Sequence, residues 1–353
     1  MDRPYATEHQ IAILAVHRAS LLTQIVLKTL DQGHLSKPDK SPVTIADFGS
    51  QALLISAIHH SFPDDTFVGE ENASVLRGDA RLRERVWELV CSVHLDGDAE
   101  SAGLLPALES QDEMLDAIDL GVSTRSREGR VWVLDPVDGT ADFMRGGQYA
   151  VSLALLEDGV QRVGVVGCPN LDAEAAGFFD GPCGGPRPGV VVSAVAGQGA
   201  AVRPMSPSGA LLPPRRLPSL PDPPPLPASL RFVDSFSSPT TSLSLHAAIV
   251  QALGAPWPPR DLDSLQLRCV ALALGRCDAM IRIPHSRERR DWIWDYAGGV
   301  LIAEEVGVKF TDAWGKRIDF GTGRKLEENF GWVVAHEGAH GAVLEVVLGL
   351  KGT

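Results

Sequence analysis

Apolar residues follow a helical period in the first part of the chain. Between residues 8 and 30 they recur every three or four positions, and Gly33 follows as a stop. This pattern predicts a helix over residues 8–30. A second helix is predicted over residues 47–60. The segment before it, DKSPVTIAD, contains Pro42 and several β-branched residues, which favour a loop or a short extended piece.

Shorter apolar runs predict strands. Four runs of mainly apolar residues are typical of buried strands: 130–134, 150–156, 160–166 and 190–195. A further short strand is predicted over residues 66–68, and residues 76–127 are charged and mixed, which indicates helix with irregular structure. The stretch GQGAAV at 197–202 has too few glycines for a dinucleotide-binding fingerprint and is interpreted as a hairpin turn.

The second half of the chain alternates between the two patterns. Helices are predicted over 262–274, 296–306 and 338–348, and strands over 279–283 and 332–335. Such alternation favours a layered α/β architecture. Proline and glycine dominate the segment before it, and residues 204–228 are interpreted as a surface loop or a disordered insertion. We place a domain boundary there, which gives an N-terminal domain 1–229 and a C-terminal domain 230–353.

Composition and charge narrow the class of protein. The chain has 353 residues and a formal net charge of −13, without a long Lys/Arg run, so it does not resemble a binder of nucleic acid or of anionic membranes. Five scattered cysteines form no CxxC pair, which favours a reducing compartment over a zinc or disulfide framework. We expect a cytoplasmic protein, with the nucleus as the alternative, because the N-terminus lacks a signal-peptide core and no segment reads as a membrane span.

Two acids stand three residues apart, directly after an apolar run, in VWVLDPVDGT. Burial of an unpaired carboxylate is costly, so Asp135 and Asp138 need a compensating charge, and a cation is the simplest candidate. The proline between them fixes the backbone, so that the Val137 carbonyl can point towards a metal. Gly139 allows close approach of the backbone, and a helix that begins near Thr140 would offer free N–H groups to a phosphate.

Three further acidic loops lie at the ends of predicted elements. They are TIAD, VGEEN and WIWDYAGG, which carry Asp47, Glu70 with Glu71, and Asp295. Hard divalent cations take oxygen ligands, and Mg²⁺ usually lies between a few carboxylates and phosphate oxygens. Each loop also has an ordinary interpretation, namely a turn for DG, a solvated turn for GEE and a helix N-cap for Asp295. Together the loops indicate one metal site.

Residues 336–340 spell HExxH, the zinc-protease pattern. That chemistry needs both histidines on one face inside a helix. Here the strand-like WVVA leads directly into the motif, and Gly338 lies within it. His336 and Glu337 are therefore interpreted as a helix-entry turn.

The acidic stretches together resemble those of a known superfamily. LDPVDGTADFMRGGQYAVSLAL, DKSPVTIAD, VGEEN and IWDYAGG look like motifs of the lithium-sensitive, magnesium-dependent sugar phosphatases. That group includes inositol monophosphatases, inositol polyphosphate 1-phosphatases and 3'(2'),5'-bisphosphate nucleotidases. DKSPVTIADFGSQALL and the tail FTDAWGKRIDFGTGRKLEENFGWVVA favour the nucleotidase branch. The resemblance runs from residue 6 to residue 347, and it implies the inositol monophosphatase-like fold, an αβαβα sandwich.

The resemblance implies a role for each matching residue. Two or three Mg²⁺ ions would be held by the Val137 carbonyl and by four carboxylates, which are Glu70, Asp135, Asp138 and Asp295. Asp47 and Thr140 would orient the attacking water and help to deprotonate it. The amides of Gly139 and Thr140 would hold the scissile phosphate. Glu71 would lie beside the site and act through water.

Substrate contacts are expected from the C-terminal half. Four residues fall near the family's nucleotide or phosphate contacts: Asp263, Ser264, Arg268 and Arg282. The chain departs from the family in this region. DSFSSPTTS replaces a His-containing stretch, Trp292 replaces a Lys, and Tyr296 replaces the His of the family's WDH.

The function that the resemblance implies is hydrolysis of the 3'(2')-phosphate of adenosine 3'(2'),5'-bisphosphate to give AMP, with inhibition by Li⁺ and a role in sulfate assimilation. An inositol phosphate phosphatase of the same fold is the alternative. A catalytically silent protein that binds phosphonucleotides or senses ions is a third hypothesis, which the pair Asp47 and Thr140 disfavours. The expected partner is a small phosphorylated nucleotide, with neither nucleic acid nor membrane, and the expected state is a monomer or homodimer.

Overall fold

Helices and strands alternate in the second half of the chain, whereas the first half contains a run of consecutive strands between residues 150 and 216. The computed structural model describes residues 3–31, 41–95, 103–124, 127–172, 189–206, 212–221, 229–236, 238 and 240–351. The helices in these residues are α1 (Ala6–Asp31), α2 (Ser41–Ser61), α3 (Ser74–Gly78), α4 (Ala80–Ser92), α5 (Gln111–Leu120), α6 (Thr140–Phe143), α7 (Leu243–Ala252), α8 (Leu265–Ala273), α9 (Ala297–Glu304) and α10 (Glu337–Lys351). The strands are β1 (Thr66–Gly69), β2 (Arg130–Asp138), β3 (Ala150–Glu157), β4 (Val160–Cys168), β5 (Val190–Val195), β6 (Ala200–Pro204), β7 (Arg215–Arg216), β8 (Phe232–Asp234), β9 (Arg260–Asp261), β10 (Ala279–Arg282), β11 (Val308–Thr311) and β12 (Trp332–His336).

The first sheet has seven strands, in the order β1-β2-β3-β4-β5-β6-β7. Its β1–β2 pair is parallel and its other pairs are antiparallel. The hairpin turn predicted for GQGAAV is confirmed, because it joins β5 to β6 with Gly197 and Gly199 at positive φ. The predicted loop over 204–228 is wrong at Arg215–Arg216, which pairs with β6 as an edge strand. Residues 207–211 and 222–228 of that prediction lie outside the described residues.

The second sheet has five strands, in the order β11-β12-β10-β8-β9. The pairs β10–β8 and β8–β9 are parallel, and β12 runs antiparallel to both of its neighbours. The chain passes from the first sheet to the second between β7 and β8. This position is close to the boundary predicted at residue 229, although the division into two domains stays a prediction.

The helices form three layers, one on the outer face of each sheet and one between the two sheets. On the outer face of the first sheet, α1 packs on β3, β4 and β5, and α2 packs on β2. Between the sheets, α9 contacts β3, β4 and β5 on one side and β11 on the other, and it packs on α8. On the outer face of the second sheet, α10 packs on β11 and β12, next to α7. The order of layers is the predicted αβαβα sandwich.

The strand β2 is buried on both faces, which explains its continuous apolar sequence. Val131 and Val133 lie in the core shared with α8, α9 and the second sheet. Trp132 and Leu134 alternate with them and lie in the core shared with α1 and α2. Because both faces are packed, the end of β2 is held rigidly, and this end carries the acids of the LDPVDGT motif.

Helix α1 is long and apolar enough to cross a membrane, so the prediction that no segment qualifies was wrong. Its candidate span is residues Ala6–Thr29, and 72% of the qualifying window is buried inside the protein. Within this helix Arg18 donates to the carbonyls of Val93 and Pro106. A helix packed in this way is typical of a protein core, because its apolar surface is already covered by β3, β4 and β5.

Helix α2 begins at Ser41, six residues before the predicted start. The loop predicted for DKSPVTIAD is therefore wrong from Ser41 onwards, while residues 39 and 40 lie outside the described residues. The proline that suggested a loop is the second residue of the helix. Proline fits the first turn of a helix, because the N–H that it lacks would have no partner there.

Candidate active site

A β-bulge brings Asp135 and Asp138 to the same side of the first sheet. Asp135 pairs with Ser152 and Asp138 pairs with Ala150, so three steps along β2 match two steps along β3. Side chains alternate between the two faces of a strand, and residues three apart would point in opposite directions without the extra residue. Both acids are buried, at 2% and 9% exposure.

The turn after β2 depends on Gly139. This residue has a φ of 89°, and it is the N-cap of α6, which begins at Thr140 as predicted. A Cβ at Gly139 would lie 2.9 Å from the Cβ of Ser264. The Thr140 hydroxyl donates to the Val137 carbonyl at 3.2 Å, and the Val137 amide donates to Asp135 Oδ1 at 3.2 Å. The predicted metal-binding and phosphate-binding groups of LDPVDGT therefore lie within one tight turn.

Helix α2 positions the GEE loop that follows β1. Asp47 and Gln51 are four residues apart and share a face of the helix. The Gln51 amide nitrogen donates to the carbonyls of Glu71 and Ile118, at 2.8 and 2.9 Å, and its oxygen accepts from the Glu71 amide at 3.0 Å. This side chain fixes the backbone of the loop, and Asp47 lies near enough to Glu70 and Glu71 for their charges to raise its pKa.

Helix α8 holds Asp138 through its first turn. Ser264 donates its hydroxyl proton to Asp138 Oδ2 at 2.6 Å, and the Gln266 amide donates to the same oxygen at 2.6 Å. Ser264 is fully buried and also caps α8 by accepting from the Leu267 amide. Both of these contacts are internal, so the geometry assigns Ser264 to positioning Asp138. A contact between Ser264 and substrate stays a prediction.

Asp263 and Arg268 organise the segment before α8. Arg268 is buried, and its guanidinium donates to the carbonyls of Leu262 and Asp263, at 2.7 and 3.0 Å. The Asp263 carboxylate accepts from the Ser235 hydroxyl at 3.0 Å. These bonds join the ends of β8 and β9 to the residue that holds Asp138, and direct substrate contacts of either side chain remain a prediction.

Asp295 lies just before α9 and is partly exposed. The N-cap of α9 is Tyr296, whose side chain makes no capping bond, so the interpretation of Asp295 as an N-cap is wrong. The charges of Asp138 and Glu70 both act on Asp295. The structure therefore brings Asp295 to the same cleft as the acids of the first sheet.

Burial and mutual repulsion raise the pKa values of the clustered acids. Burial first, and then the charges of Glu71 and Asp138, raises the pKa of Glu70 to about 7. Burial also raises the pKa of Asp138 to about 6, although the hydrogen bonds from Ser264 and Gln266 act in the opposite direction. Ionising all of these groups at neutral pH therefore costs free energy unless a cation is present.

Three other carboxyl groups have pKa values well above the ordinary value: Asp47, Asp135 and Asp295. Burial is the largest cause for each of them. For Asp135 the further causes are the charges of Glu70, Asp138, Asp295 and Asp47. Asp135 is thus close enough to four other acids for their charges to act on its pKa.

The donor set fits a hard divalent cation. Among the described residues, the groups of this acidic cluster are carboxylates, whose oxygens suit Mg²⁺ better than zinc. Within the described residues, no three His, Cys, Asp or Glu side chains already have the geometry of a metal site.

Arg282 supplies a buried positive charge at the end of β10. It is 6% exposed, and its guanidinium lies 3.2 Å from Asp291 Oδ1 and 3.4 Å from the Thr240 hydroxyl. The Trp332 indole and the Tyr296 hydroxyl both donate to the other oxygen of Asp291, which fixes that carboxylate. Among the described residues, the buried Nη1 group of Arg282 has no hydrogen-bond partner, so it is an available donor for an anion.

The HExxH stretch is not a metal site. Glu337 begins α10 directly after β12, so the predicted helix-entry turn is confirmed. The Nε2 atom of His340 lies 3.1 Å from the Thr311 hydroxyl and 3.2 Å from the Val333 carbonyl. This ring is therefore occupied by contacts with the second sheet.

Sequence reasoning missed the residues that support the carboxylates. Gln51 could have been found from its spacing of four residues from Asp47, and Gln266 from its place two residues after Ser264. Asp291 and Arg324 gave no local signal, because each acts on groups that are distant in the sequence. The Arg324 guanidinium reaches the carbonyls of Gly69 and Gly121 across the cleft.

The model of the inositol monophosphatase family matches residues 6–348. The chain belongs to this family. The resemblance drawn from the acidic motifs is thereby confirmed, and it extends over both sheets.

Two fungal relatives within the inositol monophosphatase family match nearly the whole chain. The 3'(2'),5'-bisphosphate nucleotidase of Emericella nidulans is 43% identical over 349 residues, which cover 97% of this chain and 98% of the relative. The 3'(2'),5'-bisphosphate nucleotidase of Schizosaccharomyces pombe is 38% identical over 348 residues, which cover 97% of this chain and 95% of the relative.

Solved structures support the fold of the family. The inositol monophosphatase II of Staphylococcus aureus superimposes with a TM-score of 0.59 at 18% identity, covering 96% of this chain and 94% of that protein. The similarity of the folds confirms the predicted layered sandwich.

Proposed function

We propose that the protein is a Mg²⁺-dependent phosphatase that removes the 3'(2')-phosphate of adenosine 3'(2'),5'-bisphosphate and releases AMP. The observation that carries the proposal is the cleft in which acids from β2, from the loop after β1 and from the start of α9 raise one another's pKa. The names of the two fungal relatives support the choice of substrate.

The ligands proposed for Mg²⁺ are the Val137 carbonyl and the carboxylates of Glu70, Asp135, Asp138 and Asp295. When bound, Mg²⁺ would supply positive charge to the phosphate and lower the pKa of a coordinated water. The number of ions, two or three, belongs to this proposal. Glu71 is held by Gln51 beside Glu70, where it acts through water.

The chain's own groups position the reactants. The Thr140 hydroxyl and the Asp47 carboxylate orient the attacking water and accept its proton. The amides of Gly139 and Thr140 donate to the scissile phosphate, which can approach closely because Gly139 has no side chain. Water is the proposed nucleophile, because the described cysteines near the second sheet, Cys269 and Cys277, are buried and burial raises the pKa of each thiol.

An exposed aromatic pair favours a nucleotide over an inositol phosphate. Phe236 and Trp257 contact each other edge to face, with ring centroids 6.3 Å apart, and each is more than a third exposed. The Phe236 amide donates to the Asp261 carboxylate, which ties the aromatic pair to the segment before α8. Ser264, three residues after Asp261, holds Asp138. Flat aromatic rings stack on bases, whereas inositol offers no aromatic face. The unpartnered Nη1 of Arg282 is the proposed donor for a second phosphate.

The test is phosphate release by the purified chain with Mg²⁺, with and without Li⁺. The substrates are adenosine 3',5'-bisphosphate, inositol 1-phosphate and inositol 1,4-bisphosphate, and Asp135→Asn is the inactive control. We expect rapid release from the nucleotide that Li⁺ inhibits. A preference for either inositol phosphate would overturn the substrate assignment and leave the metal site in place. Equal release by the wild type and Asp135→Asn would overturn the site itself.

A further inference from the structure

Arg324 joins the second half of the chain to the loop that carries Glu70. Its two terminal nitrogens donate to the carbonyls of Gly121 and Gly69, at 3.0 and 2.7 Å, and one of them lies 3.5 Å from the Glu70 carbonyl. The Gly69 amide donates to the same Gly121 carbonyl at 2.8 Å. The guanidinium therefore fixes the end of β1 at the point where the backbone turns into the predicted metal loop.

The same guanidinium packs on the residue before Asp295. Arg324 lies over the Trp294 ring, with its central carbon 4.7 Å from the ring centroid. Trp294 also stacks on Trp292, with ring centroids 4.8 Å apart and an interplanar angle of 11°, and the Lys325 ammonium lies 4.6 Å from the Trp292 ring centroid. These four side chains make a row of contacts in the order cation, indole, indole, cation, which we call the cation–indole stack. Each cation–ring contact contributes about 0.5–1 kcal/mol at an exposed site, and more where it is desolvated.

A short path of hydrogen bonds connects this stack to Asp138. The Trp294 carbonyl accepts from the Gln266 side chain at 2.7 Å, and the Gln266 amide donates to Asp138 at 2.6 Å. The Gln266 side-chain oxygen also accepts from the Gly299 amide in α9. Arg324 therefore connects the Glu70 loop to the loop of Asp295, in addition to the pairing of β1 with β2 that joins the Glu70 loop to the strand of Asp135 and Asp138.

We propose that Arg324 is a positioning residue that sets the separation of Glu70 from Asp295 and thereby the affinity for Mg²⁺, without touching substrate. The inference rests on the proposed function, in which these carboxylates hold Mg²⁺. Two observations support positioning over substrate contact. The terminal nitrogens of Arg324 already donate to backbone carbonyls, and its planar face is covered by Trp294. A lysine lacks the planar fork that makes these contacts together.

The test measures Mg²⁺ binding by isothermal titration calorimetry on the full chain without substrate, and kcat and KM at saturating Mg²⁺. The variants are Arg324→Met and Arg324→Lys. The matched control is Arg127→Met, because Arg127 also joins the two halves, through an exposed ion pair with Asp319 at 2.8 Å, but contacts no predicted metal loop. Loss of such a supporting partner weakens metal binding by about 10–100-fold.

We expect Arg324→Met to raise the dissociation constant for Mg²⁺ at least about tenfold, and Arg324→Lys to raise it less. Because Arg324 is proposed not to touch substrate, the KM for substrate at saturating Mg²⁺ should change less than about twofold. The Arg127→Met variant should bind Mg²⁺ with the affinity of the wild type. Unchanged Mg²⁺ affinity in both Arg324 variants would overturn the inference, as would a raised KM with unchanged Mg²⁺ affinity. If Arg324→Met does not fold, Arg324→Lys decides the question. A wild type that binds no Mg²⁺ would overturn the proposed function together with this inference.

Discussion

The orientation and the pKa of the buried Asp138 carboxylate depend on three neighbouring residues. Ser264 and the Gln266 amide donate to one of its oxygens, and Gly139 leaves the space in which Ser264 can approach. Charge-assisted hydrogen bonds of this kind are short and strong, so they orient the carboxylate before any ion arrives. A change at Gly139 should therefore disturb Asp138 without removing a functional group.

Gly139→Ala tests this arrangement, with Gly129→Ala as its control. Both glycines have positive φ, at 89° and 73°, but a Cβ at Gly129 meets nothing within 4 Å. Each variant should lose about 1–3 kcal/mol in the free energy of unfolding from backbone strain. Only Gly139→Ala should also displace Ser264, so only this variant should lose activity. Urea unfolding and phosphate release measure the two effects, and equal activity in both variants would contradict the assignment of Ser264 to Asp138.

The sequence pointed to the carboxylates of this cluster but not to the residues that hold them. Each carboxylate lies in a short motif at the end of an element, and local patterns of that kind can be recognised. The role of Arg324 depends on two carbonyls about 200 or more positions away in the chain, and no local pattern encodes such a contact. For Ser264 the sequence indicated a substrate contact, whereas its bonds in the structure go to Asp138 and Leu267.

At the scale of elements, the bulge in β2 and the face of α2 determine which side chains enter the cleft. The strand itself was predictable from its apolar run, but the bulge depends on the register with β3, which a single strand does not reveal. The start of α2 was mispredicted because proline breaks a helix in its interior but is well tolerated in its first turn. The strand β7 is two residues long and was too short for any periodicity.

The junction between α1 and β5 should respond to acid through His9. Its ring nitrogen lies 2.9 Å from the Ser193 hydroxyl, and burial lowers the pKa of His9 to about 4. Because the pKa in the folded state lies below that in the unfolded state, His9 contributes stability above about pH 6.5 that is lost as the pH falls towards 4.

The variant His9→Gln keeps a polar group at this position and removes the titration. Between pH 7 and pH 4 the wild type should lose up to about 3 kcal/mol of unfolding free energy relative to the variant. Urea unfolding of both proteins across this range measures the difference, and all other titrating groups cancel in the comparison. Parallel loss of stability in the two proteins would refute the role of His9.

At the scale of the whole molecule, the carboxylate cluster couples metal binding to pH. The pKa values of Glu70 and Asp138 are raised to about 7 and about 6, so the metal-free folded state binds more protons than the unfolded state between pH 4 and 7. The contribution of Glu70 and Asp138 to the free energy of unfolding therefore decreases as the pH rises from 4 to 7. Mg²⁺ competes with the protons and should restore this stability.

The increase in unfolding temperature on adding saturating Mg²⁺ should thus be larger at pH 7.5 than at pH 5. Calorimetric scans in Mg²⁺ and in a chelator, at the two pH values, measure this difference. Ca²⁺ in place of Mg²⁺ shows how far the effect depends on ion size. An increase that is the same at both pH values would show that the ion binds away from these carboxylates.

Part of the architecture was predictable because the second half of the chain alternates between helix and strand. The pairing of the two sheets around α8 and α9 was implied only by the family resemblance, because long-range packing leaves no local trace in the sequence. The apolar character of α1 was underestimated for a related reason. A helix enclosed by a core and a helix that spans a membrane present the same composition, and only the packing of α1 on β3, β4 and β5 separates them.

This packing has a consequence for synthesis of the chain. The last of the three strands that cover α1 ends at residue 195, which is 164 residues after the end of the helix at residue 31. At 5–20 residues per second, the nascent helix waits for roughly 10–30 seconds before its apolar surface can be enclosed. During that interval the helix presents an uncovered apolar segment. Chaperones and targeting factors bind segments of this kind. The enclosure of α1 therefore cannot be complete until β5 has been synthesised.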